Sequence, residues 1–348
     1  MTDTATDPAT DPAAGARTSA PPLPGARGPL SEAVLAHLRG PSGALAGACA
    51  PHLDAADPYG DDLQLALYAC YELHYRGFEG VSDDLEWDPA LIALRRRLEE
   101  RFLAAVRGDV AGGDDVAGEV DALLVEDVDA VGVSAHLRRR GELWQLREHV
   151  ALRSTYHLKE ADPQAWVIPR LDGPAKAALV TVEHDEYGAG RPERMHARLF
   201  ADMMLELGLS DRYGAHVDVA PAAVLAEVNL MSLFGLHRAL RGALVGQFAA
   251  VELTSSPGSA RMVRAAERLG CGPATVGFYA EHVEADAVHE QVVRRGVIAP
   301  LLAAEPHLAA DVVLGIQAAG LLDARLTEHL LGAWSQGRSA LRGPLPED

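Results

Sequence analysis

The stretch Gly272–Gly296, GPATVGFYAEHVEADAVHEQVVRRG, decides the fold class. Gly272 and Pro273 mark a helix start, because proline's fixed φ and missing N–H suit a first turn. Arg294 and Arg295 fall in the last turn, where cations complement the helix dipole, and Gly296 suits the position after it. Inside these limits His282, Asp286 and His289 recur at i, i+4 and i+7. At about 100° per residue they share an arc of roughly 60°. Imidazole, carboxylate and imidazole on one stripe read either as a buried polar seam or as ligands for iron, zinc or manganese. Glu290, at about 80° on the same wheel, is a competing or supporting group, whereas Glu284, at about 200°, should point away.

Helical periodicity extends outward in both directions. It predicts helices over roughly 30–48, 61–76, 88–107 and 115–126. Further helices are predicted over 141–161, 173–187, 192–207, 219–233, 235–253, 258–269 and 307–336. Gly, Ser and Asp break the pattern between Gly77 and Asp88, again over Gly108–Asp115, and near Val131–Ser134. No strand alternation, internal repeat or heptad run stands out. The chain has 348 residues, 48% of them hydrophobic but only 5% aromatic. Its apolar residues are mostly Ala, Leu and Val, which favours close-packed helices over a β-sandwich. The expected class is therefore all-α, divided into four parts: a disordered tail over 1–27, rich in Ala, Thr, Asp and Pro, an N-terminal helical region over 28–130, a helical core over 131–340, and a flexible end over 341–348.

A net charge of −19 repels phosphate backbones and anionic membranes, so no nucleic-acid or membrane partner is expected. No apolar run of about 20 residues suggests a transmembrane helix, and no secretory signal is visible at the N-terminus. Three cysteines without CxxC spacing argue against a disulfide framework and for the reducing cytoplasm. A symmetric homodimer is the expected assembly.

One helix cannot complete a metal site, and a second cluster of acids and histidines lies at 157–196. It contains His157, Glu160, Glu183, His184, Asp185, Glu186, Glu193 and His196. Spacing alone does not choose among them, since a solvated acidic face explains each singly. Glu160 and Glu186 fall near predicted helix ends where an anion opposes the dipole, and a bound dication would compensate.

The run from Glu160 to Phe200, with His282, Asp286 and His289, resembles the haem-oxygenase-like di-iron oxidases and oxygenases, whose bacterial relatives are described as iron-containing redox enzymes. In that family a Glu ends one core helix, a second Glu follows about 26 residues later, a His about ten after that, and a His-x3-Asp-x2-His helix comes late. Glu160, Glu186 and His196 match the first three, and His282, Asp286 and His289 match the last. The resemblance covers about 141–340, and more loosely Tyr68–Arg76. It implies a haem-oxygenase-like helical bundle carrying an additional N-terminal region. It implies a metal set of Glu160, Glu186, His196, His282, Asp286 and His289, with Glu160, Glu186 and Asp286 as the catalytic carboxylates. It further implies two Fe ions, or a Mn/Fe pair, that give electrons to O2 to oxidise a small-molecule substrate. That reaction is N-oxygenation, desaturation or oxidative C–C cleavage of an amino-acid or fatty-acid derivative, with an external electron donor. The competing expectation is a non-redox helical protein on the same scaffold.

Four other features carry less. Glu252, among apolar residues at a predicted helix end, is either a neighbour of the site or a partly exposed terminus. Glu72 and His74 lie about 160° apart on one helix and suggest packing between the N-terminal region and the core. Asp83-Asp84 sits in a loop without a partner motif. Cys271, between two glycines, reads as structural.

Overall fold

A computed structural model of the chain describes residues 20–346 apart from 42, 44 and 126–131. Among the described residues there is no strand. The N-terminal region holds α1 (Pro29–Arg39), α2 (Leu45–Leu53), α3 (Asp61–Glu72), α4 (Pro89–Asp109) and α5 (Val116–Leu123). The rest holds α6 (Val133–Arg139), α7 (Leu143–His157), α8 (Asp162–Ala165), α9 (Gly173–Glu186), α10 (His196–Glu206), α11 (Ala222–Leu236), α12 (Arg241–Leu269), α13 (Pro273–Val292), α14 (Ala299–Ala304) and α15 (Ala309–Trp334). The all-α class is what the described residues form.

Local chemistry accounts for the starts. The Asp88 carboxylate accepts from the backbone N–H groups of Ala90 and Leu91, capping α4 ahead of Pro89. The Glu206 carboxylate accepts from the N–H groups of Ala274 and Thr275 (2.8 and 3.0 Å), so α10 supplies the cap that the first turn of α13 lacks locally. Gly270 takes φ 72° and closes α12 in the left-handed conformation that glycine adopts without strain.

Besides α6, α8 and α14, which the periodicity does not mark, the predicted pattern differs from the observed one in three places. The helix expected over 30–48 is two helices, because Gly40 and Pro41 stop α1 after Arg39. The helices expected over 235–253 and 258–269 are one, α12, which runs through Pro257. Proline removes a single helical hydrogen bond there, while α12 is held on both sides, against α13 and against α15. After Val292 the ligand-bearing α13 passes through a π turn, Val293–Ile298, before α14.

α12 and α15 cross closely because glycines meet glycine-sized gaps. A Cβ on Gly246 would strike the Val312 carbonyl, and one on Gly315 would strike the Ala243 carbonyl. By length and composition the stretch Pro306–Trp334 could also span a bilayer, although the sequence suggested no such segment. Here Val312, Val313, Leu322 and Leu330 bury one side of it in the core.

The N-terminal region joins this core through α3, which packs on α11, and one apolar cluster runs from Leu30 through Tyr68 to Leu330. A buried ion pair crosses the same junction: Lys159 Nζ donates to Glu72 Oε2 at 2.9 Å, and the Tyr213 hydroxyl donates to Glu72 Oε1 at 2.6 Å. The tail expected over 1–27 is shorter at its inner end. Residues 20–27 are tied down, with Arg27 donating to Asp61 (3.1 Å) and to the Val217 carbonyl (2.6 Å), and the Gly25 N–H donating to Asp218 (2.8 Å). At the other end the Arg342 N–H donates to the Val219 carbonyl (2.9 Å), and its guanidinium reaches Asp61, so residues 341–346 are held rather than loose. Residues 1–19 and 347–348 lie outside the described residues.

Candidate metal centre

Four helices and one loop bring their acids and imidazoles to one buried place. Glu160 comes from the loop after α7, Glu186 from the last residue of α9, and His196 from the first residue of α10. Glu252 comes from mid α12, and His282, Asp286 and His289 from the inward stripe of α13. All seven are at most 6% exposed. Their ligating atoms form two groups, Glu160–His196–His282 and Glu186–Glu252–Asp286–His289, each with its atoms within 4.8 Å of one another.

All six residues expected from the sequence are therefore brought together, and Glu252 is the addition. The sequence leaves Glu252 open between a neighbour of the site and an exposed terminus, because a helix end is expected at 253. Once α12 runs through Pro257, Glu252 is an interior position facing α13. Of the other acids and histidines weighed, Glu183 is buried beside the groups, while His184 and Glu193 are exposed.

Glu186 links the two groups. Its Oε2 lies 2.7 Å from His196 Nδ1 and its Oε1 lies 3.5 Å from His289 Nδ1. His289 turns Nδ1 toward Glu252 (3.1 Å) and Asp286 (3.6 Å) as well, and Nε2 toward Asp185 (3.4 Å). A carboxylate on the far nitrogen orients an imidazole and raises its basicity. His282 Nδ1 donates to the Phe278 carbonyl (2.8 Å), which leaves Nε2 with its lone pair directed inward, 4.0 Å from Glu160. Behind Glu160, His157 Nδ1 donates to its Oε2 at 2.8 Å, and the His157 ring stacks on Phe200.

The electrostatics follow from crowding. Burial favours the neutral form of Glu160, but His157 and the facing His282 and His196 hold it down, to about 2. Burial pushes Glu183 up to about 9, with repulsion from Glu186 and Glu252 adding, so it keeps its proton at neutral pH. Burial and the charges of Glu186 and Asp286 push Glu252 up, with the hydrogen bond from His289 acting against them. Burial would lower His196 and His289, yet their carboxylate neighbours raise them to about 9 and about 11.

These residues fit a pair of divalent ions. His282 Nε2 and Asp286 Oδ2 are buried without a hydrogen-bond partner, an arrangement that normally carries an explanation. Four carboxylates, Glu160, Glu186, Glu252 and Asp286, balance the charge of two divalent cations, and imidazole with carboxylate is a donor set iron accepts.

An all-helical bundle whose core converges acids and imidazoles on one point is the architecture of a metal-dependent enzyme. The iron-containing redox enzyme model matches residues 147–324, about half of the chain and the whole of this site, and the chain belongs to that family. No curated protein matches it.

Proposed function

We propose that this family member is a non-haem di-iron oxidase or oxygenase that uses O2 to oxidise a small metabolite. The observation that carries the reading is the pair of adjacent buried groups joined through Glu186. Glu160, His196 and His282 would hold one ion, Glu252, Asp286 and His289 the other, and Glu186 would serve both. Two ferrous ions held there would supply the electrons for O2 reduction, with an external donor as the source of their replacement. The chain's own groups do the rest. His157 fixes the free rotation of Glu160, and Asp185 fixes the ring of His289. Phe200 and Phe278 wall the His157 side against water. Glu183 holds a proton beside the carboxylates at neutral pH. A cytoplasmic setting suits the unpaired thiols of Cys49, Cys70 and Cys271.

A mixed Mn/Fe centre is favoured by one observation. One group has two imidazoles and one carboxylate, the other three carboxylates and one imidazole, and carboxylate-rich sites suit manganese better.

The test is anaerobic loading of the metal-free chain with Fe(II), with and without equimolar Mn(II), followed by O2. About two metal ions per chain and a transient visible absorption on mixing are expected. Less than one ion per chain with no absorbance change would remove the reading. Retention of one Mn and one Fe would select the mixed centre.

A further inference from the structure

A cleft of about 280 Å³ opens between the end of α9, the turn over 188–194 and α13. Its inner wall includes buried His196, and its rim includes Asp185, which touches His289. A molecule in this cleft therefore meets one candidate ligand, His196, and the carboxylate that touches another, His289. Gly188, Ala189 and Gly190 all take positive φ (73°, 52° and 78°), so the turn coils tightly, and Arg191 and Arg194 after it line the cleft. A side chain at Gly188 would strike the Met195 backbone N–H, which keeps that coil glycine-dependent.

The charges of the lining are mixed and only partly matched. Arg194 is paired with Glu281 at 2.9 Å. Arg191 and Glu284 are exposed, and neither side chain has an ion pair or hydrogen bond among the described residues. The cleft lining thus holds one unmatched cation and one unmatched anion. No apolar lining side chain is larger than alanine, so nothing there would hold a long hydrocarbon chain, which needs extended apolar surface.

We propose that this cleft takes the substrate as a dipolar ion, an α-amino acid or close relative, with its carboxylate on Arg191 and its ammonium on Glu284. The assignment rests on the O2-dependent reading above and narrows it from two metabolite classes to one. Arg191 and Glu284 are specificity-determining residues outside the ligand set, and both lie on the surface where substitution leaves the core untouched.

The experiment is isothermal titration of the full chain with each of the twenty common L-amino acids and with n-decanoate, in metal-free and anaerobically Fe(II)-loaded samples whose iron content is measured. At least one amino acid is expected to bind and decanoate not to. Arg191→Gln and Glu284→Gln are each expected to weaken that binding about tenfold or more, the scale of a lost charge-assisted contact, without changing iron content. Decanoate binding in place of any amino acid, binding of neither in both samples, or unchanged amino-acid affinity in both variants would overturn the proposal. The two readings separate cleanly. Variant-sensitive amino-acid binding with less than one iron per chain keeps the cleft and removes the di-iron centre. Two irons per chain with no amino-acid binding does the reverse.

Discussion

His289 faces Glu186, Glu252 and Asp286 through one nitrogen, and that convergence makes Glu252 testable on its own. Glu252→Ala removes one of four donors from its group while relieving acid crowding in the core. Iron content is expected to fall from two toward one per chain, with helicity by circular dichroism retained; two tightly held ions in the variant would show that Glu252 takes no part. His149 sets a different prediction. Burial lowers its pKa to about 3, helped by Arg153 and His157, whereas an unfolded chain takes up that proton near 6.5. Between these values the unfolded state binds more protons, so the stability tied to neutral His149 is complete above about pH 6.5 and is lost as pH falls toward 3. In urea titrations, His149→Gln should lose less unfolding free energy between pH 7 and pH 4 than the parent chain. Glu252 also marks what could be read in advance. His282, Asp286 and His289 were legible as a helical stripe, whereas Glu160, Glu186 and His196 were singled out only by the family resemblance whose pattern they match. Glu252 has no partner at such a spacing, and its inward orientation depends on how far its helix continues.

At the scale of elements, tertiary packing overrides local punctuation. Pro257 reads as a stop, and α12 ignores it because α13 and α15 hold both sides of the helix. Pro41, following Gly40, does stop α1. Proline therefore signals a boundary only where neighbours do not outweigh one missing hydrogen bond. The crossing of α12 and α15 is set by Gly246 and Gly315, and no sequence pattern announced it, because close approach is a property of two helices together. Gly246→Ala is expected to destabilise the fold by about 1–3 kcal/mol or more, measured by chemical denaturation. An unchanged midpoint would mean that the helices can part without loss. The Glu72–Lys159 pair makes a sharper case. Glu72→Ala leaves an uncompensated buried ammonium, expected to destabilise by about 3–5 kcal/mol. Adding Lys159→Met should recover much of that loss. Failure of the second substitution to restore the melting temperature would shift the cause from charge to packing.

Across the whole molecule, the division into an N-terminal region and a core describes the chain order better than the packing. Leu30, Tyr68 and Phe102 belong to the same apolar cluster as Leu244 and Leu330. A chain starting at residue 132 would expose the faces that α3 covers on α11. It is expected to lack a cooperative thermal transition, as scanning calorimetry would reveal. A sharp melt of that fragment would establish the second part as self-sufficient. The all-α class was readable from composition and periodicity. The shared core was not, since which apolar faces meet is settled only when the helices are assembled.

Four carboxyl groups, those of Glu160, Glu186, Glu252 and Asp286, sit within one water-poor interior, and crowding them there is a standing load on the scaffold. A dication binding only the folded form shifts the folding balance toward that form. Iron supply would then govern not just turnover but how long each copy survives: starved of the metal, newly made chains should be cleared by proteolysis sooner than replete ones, at constant rates of synthesis.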